Sequence, residues 1–201
     1  VANYCDEIVT YQDQEGNDKT GTRFSVNGIL NNGIRQGQAL SEILACMGAK
    51  IYRVGGKVYF KPAMYAGPAT TVIEVSELES FPEYRPHRPY KEKINVVRAE
   101  YVNPELKWQM TNAPIITSDE YRENDRAYLE SNLRLAMVTK DHQAQRIAKL
   151  AMERARAGFA ISYPLKGIRL DVTPGTNVRF IDLETGINKE FLVEDVTYDT
   201  E

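Results

Sequence analysis

Apolar positions in the stretch 23–62, RFSVNGILNNGIRQGQALSEILACMGAKIYRVGGKVYFKP, change their period within one continuous run. Leu40, Ile43, Leu44 and Met47 recur at helical spacing, which puts one apolar stripe against a core. Asn31 and Asn32 are candidate caps at the start of this helix. Gly48 is the stop, because glycine takes up the left-handed conformation at a helix end without steric cost. The next residues, IYRVGGKVYF, switch to a period of two around Gly55-Gly56 and predict a hairpin with a two-residue turn. With Val54 facing Lys57, Arg53 pairs with Val58, Tyr52 with Tyr59 and Ile51 with Phe60. Side chains alternate across a strand, so Ile51, Val58 and Phe60 share one face, the expected core side. Tyr52 and Tyr59 share the other. Flanked by Lys50, Lys57 and Lys61, that second face reads as a solvated surface or a partner contact.

Further along, TTVIEV from Thr70 predicts a strand and SELES a short acidic turn. FPEYRPHRPYKEK, with Pro82, Pro86 and Pro89 close together, predicts an irregular crossing segment. INVVRAEYV predicts the next strand. The polar stretch 103–128 is expected to be extended or looped chain with a short strand or two, in which Trp108 is a packing anchor. Helical spacing returns between Thr139 and Ala157, with Thr139 as cap and Ala144, Ile147, Ala148, Ala151 and Ala155 as a small-residue stripe. Gly158 closes this helix. Alternation then resumes at Phe159, Ile161 and Tyr163 and at Ile168, Leu170 and Val172, followed by a Pro174-Gly175 turn and two strands around Thr185-Gly186. Short strands at this spacing suggest a small barrel or sandwich.

The expected fold is therefore α+β. Residues 1–138 form a mixed α/β subdomain with a helix and a β-hairpin. Residues 139–201 form a helix followed by a β-rich, barrel-like or sandwich-like subdomain. Strands before the helix can pair with strands after it, so the two parts can interleave.

Composition narrows the function classes. A chain of 201 residues accommodates one large domain or two small ones, and 42% hydrophobic with 26% charged residues is ordinary for a globular protein. No run approaches the roughly 18 consecutive apolar residues of a membrane-spanning helix. The N-terminus, VANYCDEIVTYQDQEG, has neither the basic lead nor the apolar core of a signal peptide, and a start without Met suggests a piece of a longer chain. The net charge of -3 argues against a dedicated nucleic-acid binder. One local basic and aromatic patch stands out: Arg85, His87, Arg88, Lys91 and Lys93 beside Tyr84 and Tyr90. It suits an ordered surface connection, or a grip on phosphates or bases.

Candidate chemistry is sparse. His87 and His142 fall in no metal pattern, and Cys5 and Cys46 lie far apart, with Cys46 on the helix stripe and both expected reduced. The glycines of GIRQGQAL and GAKIYRVGGK lack the spacing and Lys-Ser/Thr ending of a phosphate-binding loop. Carboxylates such as those of SDEYREND are plentiful, but a glycosidase pair is defined by separation in space, not by abundance. No catalytic, cofactor or metal residue is assigned.

Six motifs in order, ANYCDE, RFSVNGIL, ACMGAKIYRVGGKVYFKPAMY, INVVRAEYVNPELKWQ, QRIAKLAMERAR and TPGTNVRFI, resemble the tail tip attachment protein J family of long-tailed phages over nearly the whole chain. The resemblance implies a non-enzymatic, hub-like scaffold of a virion tail tip, made in the bacterial cytoplasm from a phage or prophage. It implies a trimeric hub for the complete protein, closing the distal tail tube and supporting host attachment and DNA ejection. Other tail-tip proteins and the tape-measure protein are the implied partners, with DNA only a transient passenger of the lumen. Receptor recognition in this family generally lies in more C-terminal parts, expected outside this chain. Possible protein-protein interface residues are Tyr52 and Tyr59 on the hairpin and Arg85, His87 and Arg88 in the crossing segment. The alternative is a carbohydrate-binding or carbohydrate-hydrolysing tail module, which would need two carboxyls roughly 5–10 Å apart beside aromatic side chains. A contact protein of the DNA channel would instead need a continuous basic stripe.

Overall fold

The computed structural model describes residues 2–12, 16–54, 56–61, 67–87 and 89–198. In chain order the elements are α1 (Ala2–Cys5), β1 (Ile8–Gln12), β2 (Asp18–Thr22), α2 (Gln36–Ala45), β3 (Lys50–Val54), β4 (Lys57–Lys61), β5 (Thr71–Glu74), β6 (Glu83–Arg85), β7 (Val96–Asn103), β8 (Gln109–Asn112), β9 (Ile116–Thr117), α3 (Asp119–Asp125), β10 (Glu130–Leu135), α4 (Asp141–Arg156), β11 (Ala160–Ser162), β12 (Asn177–Asp182) and β13 (Ile187–Leu192). The fold is α+β. Its compact units are not divided by one boundary near residue 138. One comprises Val1–Lys50 with Pro89–Ala157, the other Ile51–Arg88 with Gly158–Glu201. The chain leaves the first unit, returns to it and leaves again, so α4 belongs with the strand before it rather than with the strands after it.

The first unit is organised by β7, whose Val96, Val97, Ala99 and Tyr101 are buried. A strand buried on this scale takes neighbours on both edges: β10 pairs with it in parallel, while β8 and β9 pair antiparallel. The apolar stripe of α4 packs on β7, and Ala144, Ile147, Ala148 and Met152 join Val97, Ala99, Tyr101 and Leu135 in one cluster. Small residues let the helix backbone come close, as the alanine spacing suggests. Lys140, not Thr139, sits at the cap position of α4 and makes no side-chain cap. Likewise Arg35 precedes α2, and neither Asn31 nor Asn32 caps it. Gly48 does end that helix, at φ +57°, and the Ala49 N–H closes onto the Leu44 carbonyl at 2.9 Å.

The stretch 103–128 holds the short strands β8 and β9, as expected, and also a helix that was not. Ser118 accepts a hydrogen bond from the Tyr121 N–H and starts α3, with Asp119 and Glu120 favourably placed in its first turn. Arg126, at φ +51°, ends it. Asn95 then fixes the return to β10: its amide donates to the Ala127 carbonyl at 2.8 Å and accepts from the Leu129 N–H at 2.8 Å.

Gln143 is the polar residue at the heart of the α4 face. Fully buried, it donates to the carbonyls of Ser25 and Cys46 at 2.9 and 2.8 Å and accepts from the Ser25 N–H at 3.2 Å. One side chain thereby satisfies backbone groups of two segments with no partner in a sheet. Gln143→Leu, of similar volume, is expected to destabilise the protein by roughly 2–3 kcal/mol because those backbone groups stay buried and unpaired. Urea denaturation measures it, and a change under about 0.5 kcal/mol would mean that water takes over these bonds.

In the second unit, β12 lies between antiparallel β13 and parallel β5, β6 pairs with β11, and β3 with β4. These short open sheets form no closed barrel among the described residues. Ile73, Leu78, Val172, Val178 and Phe180 make the core, with Tyr163 stacked on Phe180 at 5.2 Å. Residues 168–170 are not a strand, and Ile168 and Leu170 are exposed. The Asp182 carboxylate caps the β12–β13 turn. It accepts from Thr185 Oγ1 and from Tyr84 Oη at 2.5 Å each and from the Glu184 N–H at 2.9 Å, donors that hold its pKa at about 2.

Candidate interaction surfaces

The hairpin does not bury its expected core face. Tyr52 is 8% exposed, whereas Ile51, Val58 and Phe60 of the other face are exposed. The cause is the Pro174-Gly175 turn: Gly175 sits at φ +79°, and a Cβ there would lie 3.0 Å from Cε2 of Tyr52 and 2.6 Å from Cδ of Lys61. Lys61 Nζ donates to the Gly175 carbonyl at 2.6 Å. Tyr52 is thus covered, while Tyr59 keeps 47% exposure. The pairing of the two strands was legible. Which face meets the rest of the unit depends on a turn more than a hundred residues away.

The basic segment is partly neutralised. Arg85 is exposed in β6 and pairs with Glu83 at 3.0 Å, and His87 is exposed. Arg88 lies outside the described residues. Lys93 approaches Asp125 at 3.9 Å, and Tyr90 donates to the Asp125 carbonyl at 3.2 Å. Tyr84 turns inward to Asp182. The residues contiguous in sequence therefore serve several local contacts and make no common basic stripe among the described residues.

Two features of the first unit carry no such internal task. At the tip of the β7–β8 hairpin, Leu106 and Trp108 are 51% and 66% exposed. Trp108 is thus no packing anchor of the described chain. Lys107 and Trp108 both hold positive φ, 55° and 62°, unusual for bulky side chains. The turn is held by Asn103, whose carbonyl accepts from the N–H groups of Leu106 and Trp108 at 3.3 and 3.0 Å and whose side chain accepts from that of Glu105 at 2.9 Å. Elsewhere, Gln38, Ser41, Glu42 and Ala45 of α2 and residues 134–136 line an open groove of about 390 Å³. Adjacent residues of β10 alternate across the sheet, so Leu135 is buried while Arg134 and Ala136 are exposed.

Among the described residues no group of His, Cys, Asp and Glu could hold a metal ion. The groove brings together one carboxylate, Glu42, and one guanidinium, Arg134, rather than a carboxyl pair. Both cysteines are free, and burial pushes the Cys46 thiol up to about 11 and raises that of Cys5. Burial lowers the pKa of His142, which stacks on Tyr11 with ring centroids 3.6 Å apart. No helix of the described residues is long and apolar enough to cross a membrane.

Polar clusters brace each unit of this two-unit α+β protein, and large apolar side chains stand exposed on its surface. The chain belongs to the phage tail protein family Phage-tail_3, whose model, described as "Putative phage tail protein", matches residues 35–193. Among solved structures it is similar to a chain from the virion of a native gene transfer agent (GTA) particle. The identity is 21% and the TM-score 0.63, over 90% of this chain and 38% of that one. It is also similar to the 43 kDa tail protein of prophage MuSo2 from Shewanella oneidensis, at 14% identity and TM-score 0.50, over 81% of this chain and 48% of that one. The chain thus spans less than half the length of these two structures. Among curated proteins none matches the sequence.

Proposed function

We propose that this chain is scaffold of a tail-tip hub, part of a self-associating protein that closes the distal tail tube, supports host attachment and lets DNA through its lumen during ejection. The match to the tail protein family across residues 35–193 carries the reading. The fold likeness to a virion chain agrees with it. A physical argument points the same way: subunits of a closed assembly need complementary surfaces in each copy, and Ile51, Val58, Phe60, Leu106 and Trp108 are large apolar side chains exposed in the single chain. Tyr59, Arg85, His87 and Arg88 are the further contact residues of this reading, with Tyr52 supporting the hairpin from its covered side. A trimer of the complete protein, the tape-measure protein and the other tip proteins are its partners. The function is structural and needs no cofactor.

Antibody-gold labelling of intact particles tests the position. Label is expected at the distal end of the tail. Label spread along the tube, or on the head, would overturn the hub reading and leave the family membership intact.

A further inference from the structure

We infer that the β7–β8 tip of one copy inserts Trp108 into the α2/β10 groove of a second copy, joining copies head to tail. The inference rests on the self-association proposed above only for the premise that copies meet. The surfaces are its own.

Four observations support it. The tip is an apolar knob, Leu106 and Trp108, held outward by a turn whose two consecutive non-glycine residues sit at positive φ. Such backbone persists only where its surroundings impose it, and here Asn103 does so through three hydrogen bonds. The open groove, at about 390 Å³, falls in the range of roughly 300–1,000 Å³ of small-molecule clefts, room enough for an indole. Ala45 and Ala136 line it, and its lining is mostly apolar, a bed for an indole. The charges also match: Lys107 and Glu105 flank the knob, and Glu42 and Arg134 flank the groove. None of these four forms an ion pair among the described residues, so Lys107 has Glu42 as a complement in a second copy and Glu105 has Arg134. Aromatic anchors seated in desolvated pockets are where binding energy concentrates.

Knob and groove are different surfaces of one unit, so the contact is heterologous. Each docked pair leaves one knob and one groove free, and the series ends when a ring closes.

The chain contains a single tryptophan, so its emission reports on Trp108 alone. Emission and acrylamide quenching would be followed by dilution from millimolar to nanomolar, with the mass measured by sedimentation velocity on the same samples. The expected result is a mass above that of the monomer at high concentration, with Trp108 blue-shifted and quenched severalfold less, and reversal on dilution. Lys107→Glu and Glu42→Lys singly should weaken association at least tenfold, and together restore it. Circular dichroism of each variant checks folding. Association with Trp108 still fully quenchable would overturn the proposal, as would failure of the double variant to recover. A monomer at every concentration would overturn it too and assign the knob to another tail protein. Any of these can coincide with gold label at the tail tip, so the pairing can fail while the hub reading stands. A docked Trp108 in particles labelled elsewhere is the opposite case.

Discussion

Phe180→Ala is expected to destabilise the second unit by about 4 kcal/mol, within the range for emptying a fully buried phenylalanine site. Phe180 has no solvent exposure and lies at the centre of the three-stranded sheet, opposite Ile73 of β5 and Lys189 of β13. Tyr163 stacks on it at 5.2 Å and Phe191 meets it edge-on at 6.5 Å. Truncation removes the ring that both aromatics contact, and strands hydrogen-bonded on both sides cannot collapse to fill the space. Hydrogen exchange of the β12 and β13 amides measures the loss. Phe180→Leu, which keeps most of the volume, should cost under about 1.5 kcal/mol. Equal protection in Phe180→Ala and the parent would mean that Phe180 does not organise this core.

Asp125→Ala is expected to cost about 3 kcal/mol in the first unit. Asp125 ends α3 and Arg156 ends α4, and their ion pair joins the two helix ends with side chains 3% and 13% exposed. Asn95 Nδ2 adds a hydrogen bond to the carboxylate at 3.0 Å, while Arg156 donates from Nε to the Ile94 carbonyl at 2.8 Å and lies 4.5 Å from the Tyr121 ring centroid. Removing the carboxylate strands a guanidinium that the surrounding packing still holds in place.

The same pair predicts a pH dependence. Hydrogen bonds from Arg156 hold the Asp125 carboxyl below its ordinary range, against the opposing effect of burial. Its contribution to stability is complete above the unfolded aspartate pKa of about 3.9 and is lost as pH falls from there through the lower folded value. The stability difference between the parent and Asp125→Asn should therefore be constant near neutrality and shrink below about pH 4. A difference that persists undiminished in strong acid would show that Asp125 acts through its shape rather than its charge.

Several elements were legible because a local rule decides them. The α2 stripe and Gly48, the hairpin around 55–56, the strand INVVRAEYV and the helix after Thr139 all follow from period and turn chemistry within a dozen residues. The helix α3 was signalled too, by Ser118 followed by acidic residues, but the polarity of its surroundings hid it. The first capping choices failed for a physical reason: a helix docked by a strong apolar face forms without a side-chain cap, as α2 and α4 both do. Nothing local marked Glu130–Leu135 as the parallel partner of β7, since its pairing is made across the sheet.

The candidate surfaces divide in the same way. The sequence by itself determined that a hairpin turns around 55–56, that short strands lie within the polar stretch 103–128, and that the chain as written carries no recognised catalytic or metal pattern. The tertiary structure decided that Tyr52 is covered while Ile51, Val58 and Phe60 are not, because burial belongs to whatever packs above a strand, and here that is the Gly175 turn. It also decided that Trp108 stands in solvent and that Glu42 and Arg134 meet at one groove. Periodicity reports which side chains share a side, and only the folded chain determines what lies opposite.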